Sequence, residues 1–331
     1  FVMTKSIIFS CMLASLAVQA QVAVRGRVLD TETGKGVPFV NIGLFEKNIG
    51  TLSDEDGSFE LIVPAGNKDS VLFSSIGYKR TGMSVQAWQA SAPVVVPMTP
   101  SRILLQDVTV KSRRYKHLRL GWMGGKDGVI PLDTIQGGGA VAVLLESPSS
   151  TNFVDKLQVR LMYNSKDTLK FRLHFFAYDS LRDAPGTELL QQEVMLTEHK
   201  RFGWLRFNLV NRDIRIDAKR FFVGFEWIES RADRAKMLAG LRDWERWRKQ
   251  QYEAGNKKVE KRMTDGKTSY KYVGDMRDWP GFSQLPPFTG LMVETGKTDQ
   301  TRKYRTFERK TSFGKWTELG STLNAVVTIS Y

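Results

Sequence analysis

Gly50-Thr51-Leu52-Ser53-Asp54-Glu55-Asp56-Gly57-Ser58-Phe59-Glu60-Leu61 decides how the first third of the chain reads. Asp-Gly between alternating apolar positions is a strong local signal for a tight β-hairpin. Gly57 can take positive φ without a Cβ clash, and Asp54 and Asp56 can accept hydrogen bonds from turn N–H groups. Working outward, Val22-Ala23-Val24-Arg25-Gly26-Arg27-Val28 sets valines at alternate positions, the pattern of a strand with one buried face. Thr33-Gly34-Lys35-Gly36 then turns the chain, and residues 37–45 form a second strand with Pro38 at its entrance, where a missing N–H matters least. Further strands are predicted at residues 71–75, 94–98 and 104–110, with Ile76-Gly77-Tyr78 as a turn. Seven short strands in about ninety residues, punctuated by Gly, Pro and Asp, predict a small β-sandwich.

Gly26-Arg27-Val28-Leu29-Asp30, Thr33-Gly34, Val37-Pro38-Phe39-Val40-Asn41, Gly50-Thr51, Asp54-Glu55-Asp56-Gly57-Ser58-Phe59, Ser74-Ser75-Ile76-Gly77-Tyr78 and Leu105-Gln106-Asp107-Val108-Thr109-Val110 together resemble the carboxypeptidase-regulatory-like domain. The resemblance covers residues 21–111. It implies a seven-stranded transthyretin-like (prealbumin-like) sandwich, found at the N-termini of exported and outer-membrane proteins of Gram-negative bacteria. It implies fold and compartment far more than activity, because the module is a non-catalytic appendage on many different proteins. In many of those the segment like residues 105–110 leads into the plug and barrel of a TonB-dependent receptor. About 220 residues remain here, too few for both, and they are charged rather than a series of lipid-facing strands. The alternating run at residues 323–331 is read as the closing strand of a sandwich.

Two chemistries suggested by this module fail on residue type. Asp54, Asp56 and Gly57 resemble the start of a calcium loop, but the later ligand positions and the twelfth-position glutamate of an EF-hand are missing. The histidines, His117, His174 and His199, make no zinc-peptidase motif. Gly137-Gly138-Gly139 lacks the Gly-Lys-Ser/Thr that completes a phosphate loop and precedes a strand, not a helix. No cofactor and no metal site are expected.

Lys5, the apolar run at residues 7–18 and Val18-Gln19-Ala20 have the layout of a secretory signal peptide over residues 1–20. The run is shorter than a membrane span of about 20 residues, and no later segment is continuously apolar, so no transmembrane helix is expected. The single cysteine, Cys11, lies inside this segment, and cutting before it, as in a lipoprotein, would leave a very short apolar region. Stability must then come from core burial rather than disulfides.

Residues 112–135 read as a basic, Gly-rich linker, and residues 136–331 as a second, jelly-roll-like sandwich. Strands are predicted at residues 140–145, 153–163, 169–178, 188–195, 204–209, 220–228, 291–295, 301–309, 316–319 and 325–331, with Ala184-Pro185-Gly186 as a turn. Several of these runs are similar to jelly-roll modules attached to exported bacterial proteins, including carbohydrate-binding ones. The fold class expected is thus mainly β, with two β-sandwich domains.

A basic insertion at residues 231–290 interrupts the second sandwich. Met237, Leu241, Trp244, Arg248 and Tyr252 follow helical spacing, which predicts an amphipathic helix from residue 231 to about residue 251, ended by Gly255-Asn256. The chain carries a net charge of +14. Roughly 21 Lys and Arg against roughly 11 Asp and Glu fall within residues 231–315. Such a balance suits an anionic partner, and export argues against nucleic acid. Trp204, Trp227 and Trp316 read as core. Trp244, Trp247 and Trp279 are the binding candidates, able to stack on sugars or anchor a protein, with Arg246 and Arg248 as donors.

The function expected is that of a non-enzymatic protein at the periplasm, outer membrane or cell surface, with a structural or docking N-terminal module and a C-terminal module recognising a protein or glycan. The alternative is a glycan-processing enzyme using two of Glu226, Glu229, Asp243, Glu245, Asp275 and Asp278.

Overall fold

β1 (Gln21–Asp30) shows the alternation expected of it, with Val24 and Val28 buried. The computed structural model of the chain describes residues 21–85, 93–101, 115–124, 128–131, 137–164, 166–264, 267–273, 289–295 and 303–331. The expected signal segment, the strand at residues 104–110, Asp275, Asp278 and Trp279 lie outside these residues. The protein is mainly β, built as two β-sandwich domains.

The N-terminal domain continues through β2 (Asn41–Leu44), β3 (Ile49–Leu52), β4 (Ser58–Pro64), β5 (Ser70–Ser74), β6 (Thr81–Ser84) and β7 (Val94–Met98). One sheet has the order β4-β1-β7, with β1 and β7 parallel, and the other has the order β3-β2-β5-β6. Val28, Ile42, Leu44, Phe59, Val71, Phe73 and Val96 fill the space between them.

The expected hairpin at Asp54–Gly57 is a turn of a different kind. β3 and β4 do not pair, because the turn carries the chain from one sheet to the other. Its local chemistry is that of a tight turn: Gly57 N donates to Asp54 O at 2.9 Å, Ser58 N donates to Asp56 Oδ1 at 2.9 Å, and Gly57 holds φ 84°. The flanks explain the crossover. Buried Ser53 accepts from Val40 N and donates to Val37 O, pinning the end of β3 to the β2 side. Gly57 O accepts from Val28 N, which starts β4 beside β1. A local turn signal cannot distinguish a hairpin from a crossover, since both reverse the chain over the same four residues.

The second domain contains β8 (His117–Gly121), β9 (Gly128–Pro131), β10 (Ala140–Glu146), β11 (Asn152–Asn164), β12 (Leu169–Asp179), β13 (Ala184–Glu188), β14 (Val194–Glu198), β15 (Gly203–Asn208), β16 (Arg215–Ile216) and β17 (Arg220–Ile228). After the insertion come β20 (Thr289–Thr295), β21 (Thr306–Arg309), β22 (Thr317–Glu318), β23 (Ser321–Leu323) and β24 (Ala325–Ser330). One sheet has the order β13-β12-β17-β10-β21-β22, and β14 also pairs with β12. The other has the order β23-β20-β11-β24-β8, joined by β9, β15 and β16. Phe171, Leu173, Phe175, Phe221, Val223 and Phe225 of the first sheet pack against Leu157, Val159, Leu205, Val327 and Ile329 of the second.

Three expectations are corrected here. The stretch read as a linker supplies β8, paired with β24, and β9, paired with β20. Ala184-Pro185-Gly186 is strand rather than turn. The strand expected at residues 188–195 is interrupted between β13 and β14, because Glu188 Oε1 accepts from the amides of Phe175, Leu189 and Leu190 and closes the chain locally.

The insertion contains α1 (Arg231–Glu253) and a hairpin of β18 (Val259–Thr264) and β19 (Lys267–Tyr272). Ser230 caps α1 in a capping box with Asp233. Arg234 and Met237 bury the first turns, while the distal part is covered by its own hairpin, Tyr252 meeting Tyr270 at 5.3 Å.

Candidate functional site

Among the described residues, Trp244, Trp247, Arg246 and Arg248 of the insertion do not converge on a pocket. Trp244 is half-buried, with the Arg248 guanidinium 3.7 Å from its ring centroid, so Arg248 covers one of its faces. Trp247 is also half-buried. Arg246 is exposed and paired with Asp243 at 3.0 Å. The four acidic candidates among the described residues are dispersed. Glu226 and Glu229 are buried in the body, Glu229 paired with Lys166, whereas Asp243 and Glu245 lie on the exposed helix.

Asp54 performs a second task. Its Oδ1 accepts from Arg231 N at 2.9 Å, placing a carboxylate at the N-terminus of α1, where the helix dipole favours negative charge. The Asp54–Gly57 turn is therefore part of the seam where the second domain docks. Among the described residues no group of three or more His, Cys, Asp or Glu is placed to hold a metal ion.

The seam has a buried ionic centre that follows from strand alternation. On β12, Phe171, Leu173 and Phe175 face the core, which turns Arg172 and His174 onto the opposite face. The pairing register sets Arg172 across from Glu226 of β17. Arg172 and Glu226 are both 0% exposed. Glu226 Oε2 accepts from His174 Nε2 at 2.7 Å, Arg172 Nη1 at 3.1 Å and Asn41 Nδ2 at 3.3 Å. Arg172 donates further to Glu193 at 2.7 Å and to the Phe39 carbonyl at 2.6 Å, and His174 Nδ1 meets Glu188 at 2.5 Å. Asn41 and Phe39 belong to the N-terminal domain, so this network ties the two sandwiches together.

Burial pushes the Glu226 carboxyl up, but the Arg172 guanidinium and the His174 ring outweigh it and hold it well below the usual carboxylate range. Burial likewise opposes the His174 imidazolium, and the carboxylates of Glu188 and Glu226 raise its pKa above the ordinary 6.5. Both ring nitrogens are engaged. His174 is therefore a structural cation, with no nitrogen left to take a proton from a ligand.

Close approach completes the seam. A Cβ on Gly43 or Gly50 would stand 2.7 Å from Ser312 O, so only glycine lets β2 and β3 press against that loop. Ser312 Oγ donates to Asn41 Oδ1 at 2.6 Å, and Glu46 N donates to Phe313 O at 2.8 Å.

Beside this seam lies a cleft of about 900 Å³. Its walls come from the turns of the N-terminal domain near Phe45 and Tyr78, from β13, and from the loop that carries Phe313 and Trp316. Arg80 lies 5.5 Å from the Phe313 ring, Arg182 5.5 Å from Phe45 and Arg309 5.2 Å from Trp316. Lys315 adds a further cation. Glu46 and Phe313 hold positive φ of 56° and 58°, a conformation that bulky residues adopt only where surrounding contacts enforce it.

Sequence reasoning placed the site in the insertion and missed this cleft. The available signal was in residues 170–175, where Lys, Arg and His alternate with Phe and Leu. The same alternation marks an ordinary strand with one solvated face, so it turns Arg172 and His174 away from the core without saying what covers them.

Fold and seam together define a two-domain β-sandwich protein whose domains share a buried ionic joint and an open cationic cleft. Residues 24–110 match the family model of the CarboxypepD_reg-like domain, and the N-terminal sandwich is such a domain, a structural or docking module. No curated protein matches the chain. A solved structure of infectious bursal disease virus Gt strain aligns at 11% identity over 94% of this chain, with a TM-score of 0.22, too low to carry any argument. The chain spans 62% of the length of that viral chain. Among the described residues no helix is long and apolar enough to cross a membrane.

Proposed function

We propose that this chain is a non-enzymatic recognition protein of the cell envelope, whose two sandwiches act as one body and whose interdomain cleft receives a protein or glycan partner. The observation that carries the reading is the cleft itself, about 900 Å³ at the docked seam, within the range of small-ligand sites. A non-catalytic role is supported by the state of its ionisable groups. His174, Glu188, Glu226 and Arg172 satisfy one another, so they brace the wall instead of presenting an acid, base or nucleophile. Export is supported by the charge, apolar run and small-residue layout of residues 5–20.

The test is an array of envelope polysaccharides and peptides probed at two salt concentrations with the protein and with Thr187→Trp. Thr187 is an exposed residue on the cleft wall, where an indole fills the space. Binding that is lost in Thr187→Trp and kept in Trp247→Ala supports the reading. Binding with the opposite dependence places recognition on the helical insertion and overturns it, as does silence across the array.

A further inference from the structure

Among the described residues Arg80, Arg182 and Lys315 at the cleft lack the ion-pair partners that surface cations ordinarily find, while Arg309 lies deeper in the wall, where the Glu226 and Glu188 carboxylates act on it without forming a direct ion pair. Three of the four are seated on aromatic rings, Phe313, Phe45 and Trp316, which fixes their position without neutralising them. Arg309 has, in addition, a buried Nε with no hydrogen-bond partner. A buried donor left without a partner is unfavourable, and an acceptor that reaches it relieves that cost.

The acidic groups on the same walls are largely occupied. Glu188 is held by His174 and three amides, and Asp179 Oδ1 accepts from the amides of Leu181 and Arg182. Glu46 alone of the lining carboxylates accepts no hydrogen bond and makes no ion pair among the described residues. The cleft therefore presents a surplus of guanidinium forks, the groups best matched to planar carboxylates.

The β13 edge beside the cleft does not suit an added peptide strand. Pro185 removes one backbone donor, and the register slips between Phe176 and Tyr178 opposite it. Recognition there falls to side chains, and the aromatic groups Trp316, Phe176 and Phe313 give apolar surface beside the cations. Resting on the cleft reading above, we propose that the ligand is a carboxylated saccharide, an acidic glycan segment whose uronate groups are taken by Arg80 and Arg182 at the mouth and Arg309 on the inner wall.

The test is isothermal titration with trigalacturonate, its methyl ester and a tri-glutamate peptide. The acid form should bind in a salt-sensitive manner and the ester about tenfold or more weaker, since esterification removes the charge that strengthens each hydrogen bond to a guanidinium. Arg80→Ala with Arg182→Ala should weaken the acid by a similar factor. Both positions are exposed, so this variant keeps the fold, and Lys261→Ala with Arg262→Ala on the insertion should leave binding unchanged.

Equal binding of acid and ester, unchanged binding in the mouth variant, loss in the insertion variant, or preference for the glutamate peptide would each overturn the assignment. Failure of trigalacturonate while Thr187→Trp still abolishes some other array signal removes the acidic-glycan assignment and leaves the cleft reading in place. Retained trigalacturonate binding in Thr187→Trp removes both.

Discussion

Replacing Glu226 by glutamine removes the anion on which Arg172 and His174 both rest. The substitution keeps the shape of the side chain. Glu226 Oε1 has no hydrogen-bond partner, so one orientation of the new amide buries an unsatisfied NH₂, and the other turns that NH₂ toward the donors of Arg172 and His174. Breaking a buried pair by removing one partner costs about 3–5 kcal/mol. Arg172 keeps Glu193 and the Phe39 carbonyl, and His174 keeps Glu188, which places Glu226→Gln near the lower end, at about 3 kcal/mol. For a domain of this size about 2–4 °C of Tm accompanies each kcal/mol, so calorimetry at pH 6 should show a fall of about 6–12 °C.

The pH dependence follows from the two shifted groups. The Glu226 contribution is present above the usual 4.5 and is lost as pH falls through its depressed folded value. The His174 contribution is present below 6.5 and is lost as pH rises through its elevated folded value. The difference between wild type and variant should therefore peak between these limits and shrink on both sides. A loss under about 1 kcal/mol at pH 6, or a difference that keeps growing into alkali, would refute the account of the seam.

Gly50→Ala should destabilise by about 1–3 kcal/mol in urea titration, because its Cβ meets Ser312 O at 2.7 Å and the loop must shift. Asp54→Ala removes the acceptor of Arg231 N and should cost about 1 kcal/mol, with faster hydrogen exchange confined to the first turn of α1. Burial, reinforced by its hydrogen bond to Asp30, pushes the Tyr78 phenol up to about 12. Ultraviolet titration should then show one tyrosine, absent in Tyr78→Phe, that ionises near pH 12, and its stabilising contribution, intact below pH 10, should decline between those two values.

Local periodicity made the strands legible. The valine alternation of β1, the apolar run of β10 and the Phe/Leu alternation of β12 each state strand and buried face within a few residues, because the pleat has period two. The helix of the insertion was legible for the same reason with a period of 3.6. What misled was partnership. The Asp54–Gly57 turn has the chemistry of a hairpin, yet its strands join different sheets, since Ser53 and Gly57 bond to Val37, Val40 and Val28 elsewhere in the chain. The basic composition of residues 231–315 drew attention to Trp244 and Arg246, whereas charge in a sequence window does not say whether the charges meet across a cavity.

The sequence by itself determined two β domains, the identity of the first, a helical insertion, and the residue types available for recognition. Tertiary structure alone decided that Asn41, Arg172, Glu226 and Ser312 form one joint, and that Arg80, Arg182 and Arg309 face a common cleft. The reason is distance along the chain. Periodicity reports which side of an element is buried, but which distant side chain lies opposite depends on sheet order, register and the close approach that Gly43 and Gly50 permit.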